Sequence, residues 1–232
     1  MSQENSNDIS IVIPAYNEEY RIVGVITRYC GFFPNSEVIV VCDGMDNTKK
    51  IIKELMMCYP QLRLLEYEER LGKGQSVMEG MKNARYDKVG FVDADESIEP
   101  DDVKRMFDAL SLADVVIASR RLKNSKILVK QPLKRRISSI AFNIFARVVF
   151  GLGFSDTQCG AKVFRKEVVR EVFNDLKTKG FEFDVELLWR LEKKGYNIIE
   201  FPIIWKHSDG SSFSLSNAPM MLFSLLKVRF WS

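Results

Sequence analysis

Residues 9–19 read ISIVIPAYNEE. The first six form an apolar, β-branched run too short for a buried helix and suited to a strand covered on both faces. A polar, helix-forming stretch follows from residue 18 to residue 30, and the same rhythm repeats downstream. EVIVVC at 37–42 is a second strand of this kind, with Asn47 or Thr48 placed to cap a helix running to Met57 and stopped before Pro60. Residues 62–66 and 88–92 continue the strands, with a helix over 74–83 between them. Pro100 followed by Asp101 and Asp102 marks a helix start, proline in the first turn and acids on the positive end of the dipole, and 115–118 is a fifth strand. Strands alternating with helices at this spacing predict an α/β fold: a Rossmann-like, mainly parallel sheet flanked by helices and joined by right-handed crossovers.

In such sheets ligands bind outside the carboxyl ends of the strands, and the polar residues collect there. The first strand is followed by Pro14, Ala15, Tyr16, Asn17 and Glu18, the second by Asp43 and Gly44, the third by Leu71-Gly72-Lys73-Gly74, and the fourth by Asp93-Ala94-Asp95. Each piece alone reads equally as a helix cap, a turn or a solvated lysine. Together they predict a crevice for a nucleotide and a metal. At an extended strand end, residues i and i+2 point the same way, so Asp93 and Asp95 can approach one Mg²⁺ or Mn²⁺ bridging a diphosphate. Lys73 lies in no G-x-x-x-x-G-K-[ST] frame, and no G-x-G-x-x-G follows the first strand, which argues against a P-loop NTPase and a dinucleotide-binding dehydrogenase.

Composition bounds the alternatives. The chain has 232 residues, 46% of them hydrophobic and 28% charged, which excludes disorder and a disulfide-stapled mini-fold. A net charge of +3 is too small to make the whole chain a nucleic-acid binder. Cys30, Cys42, Cys58 and Cys159 show no C-x-x-C spacing, and His207 is the single histidine, so a metal here is expected to be a hard ion held by carboxylates. The cysteine usage reads as a reducing compartment. The polar start of the chain lacks the apolar core of a signal peptide, and no run reaches 18 apolar residues.

Six ordered motifs, SIVIPAYNEE, VVCDG, LGKG, VDAD, Asp156 to Lys162 (DTQCGAK) and Phe181 to Glu186 (FEFDVE), resemble the family 2 inverting glycosyltransferases of the GT-A fold. More narrowly they resemble the polyprenyl- and dolichyl-phosphate hexose synthases, over residues 10–212. The resemblance implies that Pro14, Tyr16, Asn17, Glu18, Asp43 and Lys73, with Asp93, Ala94 and Asp95, bind a nucleotide sugar, and that Asp93 and Asp95 hold metal and diphosphate. It also implies that Arg120, Arg135 and Ser139 take the phosphate of a polyprenyl or dolichyl acceptor. DTQCG is nearer the glucosyl branch than the mannosyl one, which favours UDP-glucose over GDP-mannose. Two positions depart from the family. Cys42-Asp43-Gly44-Met45 stands where Asp-Asp-Gly-Ser is usual, and Ser97 stands where a glutamine often completes the metal set.

The stretch after the fifth strand is unusual in charge. Residues 115–155 contain no Asp or Glu, while Arg120, Arg121, Lys123, Lys126, Lys130, Lys134, Arg135, Arg136 and Arg147 accumulate. Residues 137–154 then read ISSIAFNIFARVVFGLGF. A basic cluster beside an apolar helix suits a helix lying in a membrane interface, with Phe145, Val148 and Phe150 on the inserting face; a buried helix with a basic edge is the rival reading. The apolar tail at 219–231 is a second candidate of the same kind. Nucleic acid is disfavoured because no aromatic platform interleaves the patch.

The expected organisation is a GT-A domain over 1–215, its half at 9–119 for the nucleotide sugar and its half at 120–215 for the acceptor, with the interface segment at 120–154 and a tail at 216–232. The expected chemistry is a single displacement at the anomeric carbon by a phosphate oxygen, at the cytoplasmic side of a membrane, with a membrane-spanning partner or an oligomer open. A hydroxyl acceptor would instead need a carboxylate base, for which Asp156 and Asp184 are the candidates. His207 reads as a surface residue or as a metal or phosphate contact. A glycan-directed transferase and a membrane-associated scaffold without activity are the rival functions.

Overall fold

The computed structural model describes residues 8–208 and 218–231. Residues 1–7 and 209–217, the latter closing the expected acceptor half, lie outside them. Nine strands and eight α-helices are present among the described residues. The five strands expected from sequence are β1 (Ile9–Ala15), β2 (Glu37–Cys42), β3 (Leu62–Glu66), β4 (Lys88–Val92) and β5 (Val115–Ser119). Between them run α1 (Ile22–Phe32), α2 (Thr48–Met56), α3 (Lys73–Asn83) and α4 (Pro100–Asp108). Continuous β-branched runs give strands buried on both faces: every residue of β2 and β5 is buried. Each such aliphatic side chain contributes about 1.5–3 kcal/mol on burial.

Helix α1 starts at Ile22 rather than at Glu18. Asn17 has a left-handed backbone, φ 55°, which turns the chain before the helix begins.

The second half adds β6 (Lys126–Val129), α5 (Leu133–Phe150), β7 (Ala161–Arg165), α6 (Lys166–Val172), α7 (Phe183–Lys193), β8 (Ile198–Pro202), β9 (Ile204–Lys206) and α8 (Ala218–Trp231). The main sheet has the order β3-β2-β1-β4-β7-β5-β8. All its pairs are parallel except those of β7, which runs antiparallel between β4 and β5. The segment expected at 120–215 thus threads β7 into the sheet formed by the segment expected at 9–119. A small parallel sheet of β6 and β9 sets Ile127 opposite Trp205.

Helix α5 differs from its expectation in extent and orientation. It takes in Lys134, Arg135 and Arg136 and ends at Gly151, whose φ of 72° supplies the left-handed cap. Phe150 is 5% exposed and packs edge-on against Trp189, and Phe145 is half-buried against the core, so these two face inward and only Val148 of the expected trio faces out. The outward stripe is instead Leu133, Ile137, Ile140, Ile144 and Val148, spaced three and four apart, and Ile127, Leu128 and Val129 of β6 are exposed as well. Helix α8 buries Met221, Leu225 and Val228, and leaves Met220, Phe223, Phe230 and Trp231 exposed. No described helix is long and apolar enough to cross a membrane.

Candidate active site

The carboxyl ends of β1, β2 and β4 and the loop before α3 surround a cavity of about 430 Å³, lined by Pro14, Tyr16, Glu18, Asp43, Lys73, Asp93, Ala94 and Asp95 among others. Asp43, 3% exposed, has one oxygen committed: Oδ2 accepts the Leu71 and Gly72 amides at 2.8 and 3.2 Å, which fixes the loop carrying Lys73. Gly72 makes that turn with φ 86°, and a Cβ there would stand 2.8 Å from the Lys179 carbonyl. Asn17 is not in the lining. Its Oδ1 accepts the Met45 amide at 3.0 Å and ties the first loop to the second. The Glu18 amide donates to Thr48 Oγ1 at 2.9 Å, and its carboxylate pairs with Arg21. Burial pushes the Glu18 carboxyl up to about 7, against Arg21 and with help from Asp95 and Asp93.

Asp93 directly follows the end of β4, with its amide donating to the Gly160 carbonyl at 2.9 Å. A Cβ on Gly160 would lie 2.2 Å from Asp93 Oδ2, so only glycine leaves room for that carboxylate. Lys73 Nζ sits 2.7 Å from Asp93 Oδ1 and 3.0 Å from Oδ2. Burial works against the lysine's charge, yet Asp93, Asp184 and Asp95 together raise its pKa above the ordinary value. Asp95 Oδ1 accepts the Ser97 amide at 3.0 Å.

A second cavity of about 140 Å³ shares Lys73, Asp93, Asp95 and Phe181 with the first. Its other walls include Arg120, Arg135, Ser139, Asp184, Trp205 and His207. Three residues expected around an acceptor phosphate thus converge there, although they come from the end of β5 and from two turns of α5. His207 stacks on Trp205 at 6.0 Å, placed by the β6–β9 sheet.

Asp156 is placed differently from a base that meets a substrate. It is 1% exposed, lies outside the lining of both cavities, and receives Arg120 Nε at 2.7 Å, Nη2 at 2.9 Å and the Arg120 amide at 3.1 Å. Burial alone would raise its pKa, but the Arg120 guanidinium outweighs it and holds the carboxyl at about 2. Glu200 of β8 accepts the Ser155 and Asp156 amides and fixes that turn. Asp156 therefore aims Arg120 at the second cavity.

Several lining residues escaped the sequence reading. Arg70 holds its guanidinium 4.2 Å over the Tyr16 ring, and Arg21 and Lys179 also line the larger cavity. Single cations in loops carry no periodic signal. Met220 and Met221 of α8 reach the same cavity from a segment expected only as an anchor.

The residues present fit a hard divalent ion. Two carboxylates at one strand end are oxygen donors open to both cavities, and a cation, the Lys73 ammonium, already rests on Asp93. Among the described residues no group of three or more His, Cys, Asp or Glu converges on a metal position, and Asp93 and Asp95 are the residues that would hold such an ion.

The profile of the family described as glycosyl transferase family 2 matches residues 10–173. A dolichyl-phosphate beta-glucosyltransferase of Saccharomyces cerevisiae is 33% identical over 90% of this chain and 70% of its own length. An undecaprenyl-phosphate mannosyltransferase of Micrococcus luteus is 30% identical over 83% of this chain and 81% of its own. Among solved structures, a glucosyl-3-phosphoglycerate synthase from Mycobacterium tuberculosis, in complex with Mn²⁺, UDP and phosphoglyceric acid, superimposes with a TM-score of 0.71. That match covers 97% of this chain and 78% of the other at 19% identity, a likeness of fold.

Proposed function

The chain belongs to glycosyl transferase family 2, and from that premise we propose that it moves a hexose, glucose from UDP-glucose before mannose from GDP-mannose, onto a polyprenyl or dolichyl phosphate at the cytoplasmic surface of a membrane. The observation that carries this is the shared wall of the two cavities. A donor in the larger one presents its diphosphate to Lys73, Asp93 and Asp95, and a phosphate in the smaller one, between Arg120, Arg135 and Ser139, meets it at the same residues. The acceptor activities of the yeast and Micrococcus relatives fit that arrangement.

The chemistry follows from these positions. Arg120, held bidentately by Asp156, and Arg135 orient the acceptor phosphate, whose ionised oxygen needs no base to attack the anomeric carbon. Attack opposite the leaving diphosphate inverts the anomeric configuration. Lys73 balances the charge that develops on the leaving group, in a crevice where burial strengthens the interaction. Asp93 and Asp95 would hold Mg²⁺ or Mn²⁺, which when bound supplies Lewis-acid stabilisation of the same diphosphate.

The outward stripe of α5, Leu133 to Val148, lies on the helix that also supplies Arg135 and Ser139. Seating it in the interface, with Lys134, Arg136 and Arg147 toward anionic headgroups, brings the second cavity to the lipid phosphate. The test is a panel of nucleotide sugars incubated with a polyprenyl phosphate and Mg²⁺ or Mn²⁺, scored for glycolipid. A radiolabelled β-linked glycolipid from one donor is expected. Transfer to soluble sugar hydroxyls with none to lipid phosphate would refute the acceptor assignment.

A further inference from the structure

The centre of the sheet holds an ionised pair that packing does not call for. Lys162 is the second residue of β7, opposite Phe91 on β4 and Ile117 on β5, with its side chain 0% exposed. Removing an ammonium from water costs several kcal/mol, and an aliphatic residue would fill this position without that cost. Its Nζ donates to the Cys159 carbonyl at 3.0 Å and to Asp184 Oδ1 at 2.5 Å. Asp184, 1% exposed in the first turn of α7, turns its other oxygen, Oδ2, toward Lys73 Nζ at 4.0 Å. Lys73 in turn bonds both oxygens of Asp93. Four charges of alternating sign thus run from the sheet interior to the edge shared by both cavities.

We propose that Lys73 is a two-position cation shared between Asp93 and Asp184, and that Lys162 serves to pin Asp184 as the second position. The proposal rests on the reading of Asp93 and Asp95 as the diphosphate and metal carboxylates. An ammonium on both oxygens of Asp93 competes with any other cation for them. Asp93, with 27% of its side chain exposed, can exchange partners, whereas Asp184 is held by a lysine that reaches no solvent. A lysine side chain has the freedom to close the 4.0 Å gap. Lys73 can therefore release Asp93 while keeping its charge paired and beside the leaving diphosphate. Lys162 and Asp184 are positioning residues that act through Lys73.

The experiment measures Mn²⁺ binding by electron paramagnetic resonance, without turnover, for the full chain and for Lys73→Met and Asp184→Asn, each with and without UDP. With its competitor removed, Lys73→Met should bind Mn²⁺ about tenfold more tightly, equivalent to roughly 1.4 kcal/mol. With Lys73 confined to Asp93, Asp184→Asn should bind about tenfold more weakly. Residues that merely support the fold would weaken binding in both, and that result, or no change in either, overturns the proposal. Where melting shows that Asp184→Asn does not fold, Lys73→Met decides alone, and an affinity at or below that of the parent protein overturns the proposal. A parent protein that binds no Mn²⁺ even with UDP overturns the metal reading itself, a failure distinct from variants that move together.

Discussion

Replacing Asp156 with Asn removes the anion that aims Arg120 while keeping shape and volume. The Asp156 carboxyl is at about 2 against an ordinary 3.8, a gap worth about 2 to 3 kcal/mol at roughly 1.4 kcal/mol per pH unit. A depressed acid contributes its stability above the unfolded value, so this share is present at pH 4 and above and is lost as pH falls through 2. The substitution costs more than that share at neutral pH, because the Arg120 side chain, 15% exposed, keeps its charge and loses a bidentate partner. Breaking a buried pair in this way costs about 3–5 kcal/mol. For a chain of this size that lowers the melting temperature by roughly 10 °C. Urea unfolding at pH 7, 4 and 3 measures it, and the difference between parent and variant should narrow toward pH 3. The Michaelis constant for lipid phosphate should rise while UDP binding is kept. A variant within about 1 kcal/mol of the parent at every pH, with an unchanged acceptor constant, refutes the positioning role of Asp156.

Asp95→Asn should abolish transfer with melting unchanged, and EDTA should stop the parent enzyme until Mg²⁺ or Mn²⁺ is returned; turnover in either condition removes the metal assignment. Arg135→Ala takes a charge-assisted bond from the acceptor phosphate, so its Michaelis constant for lipid phosphate should rise about ten- to a hundredfold with the UDP dissociation constant unchanged; equal loss of UDP binding would assign Arg135 to the donor. Ile137, Ile144 and Val148, between 54% and 76% exposed, should when changed together to Ser weaken sedimentation with anionic vesicles about tenfold or more, and high salt should weaken it further. Vesicle binding indifferent to both would pass the anchoring role to Phe223, Phe230 and Trp231 of α8.

The strands β1 to β5 are legible because each is a short apolar run between turn residues, whereas β6, β8 and β9 are not, and the strand ends are legible because Asp43, Asp93 and Asp95 interrupt such runs abruptly. β7 was not recognised as a strand. AKVFR carries a lysine at its second position, and its charge is balanced inside the sheet by the distant Asp184, a relation no local pattern encodes. The convergence of Arg120, Arg135 and Ser139 came from family resemblance; the structure brings them to one wall because α5 starts at Leu133. The outward apolar face of α5 is not legible in the sequence for a related reason. Phe145 and Phe150 are apolar in any reading, and which side of a helix is apolar outward depends on Trp189 of α7, a residue far along the chain.

The antiparallel strand bears on how the molecule is made. β4 and β5 emerge from the ribosome well before β7, which belongs between them. Until it arrives each presents a bare hydrogen-bonding edge, the kind of surface on which nascent chains adhere to one another. The Asp93 amide lacks its Gly160 carbonyl over the same interval. A prematurely terminated chain is therefore expected to be insoluble, and the cavity at the ends of β1, β2 and β4 is complete only after all of α5 and the α8 residues Met220 and Met221 have been synthesised.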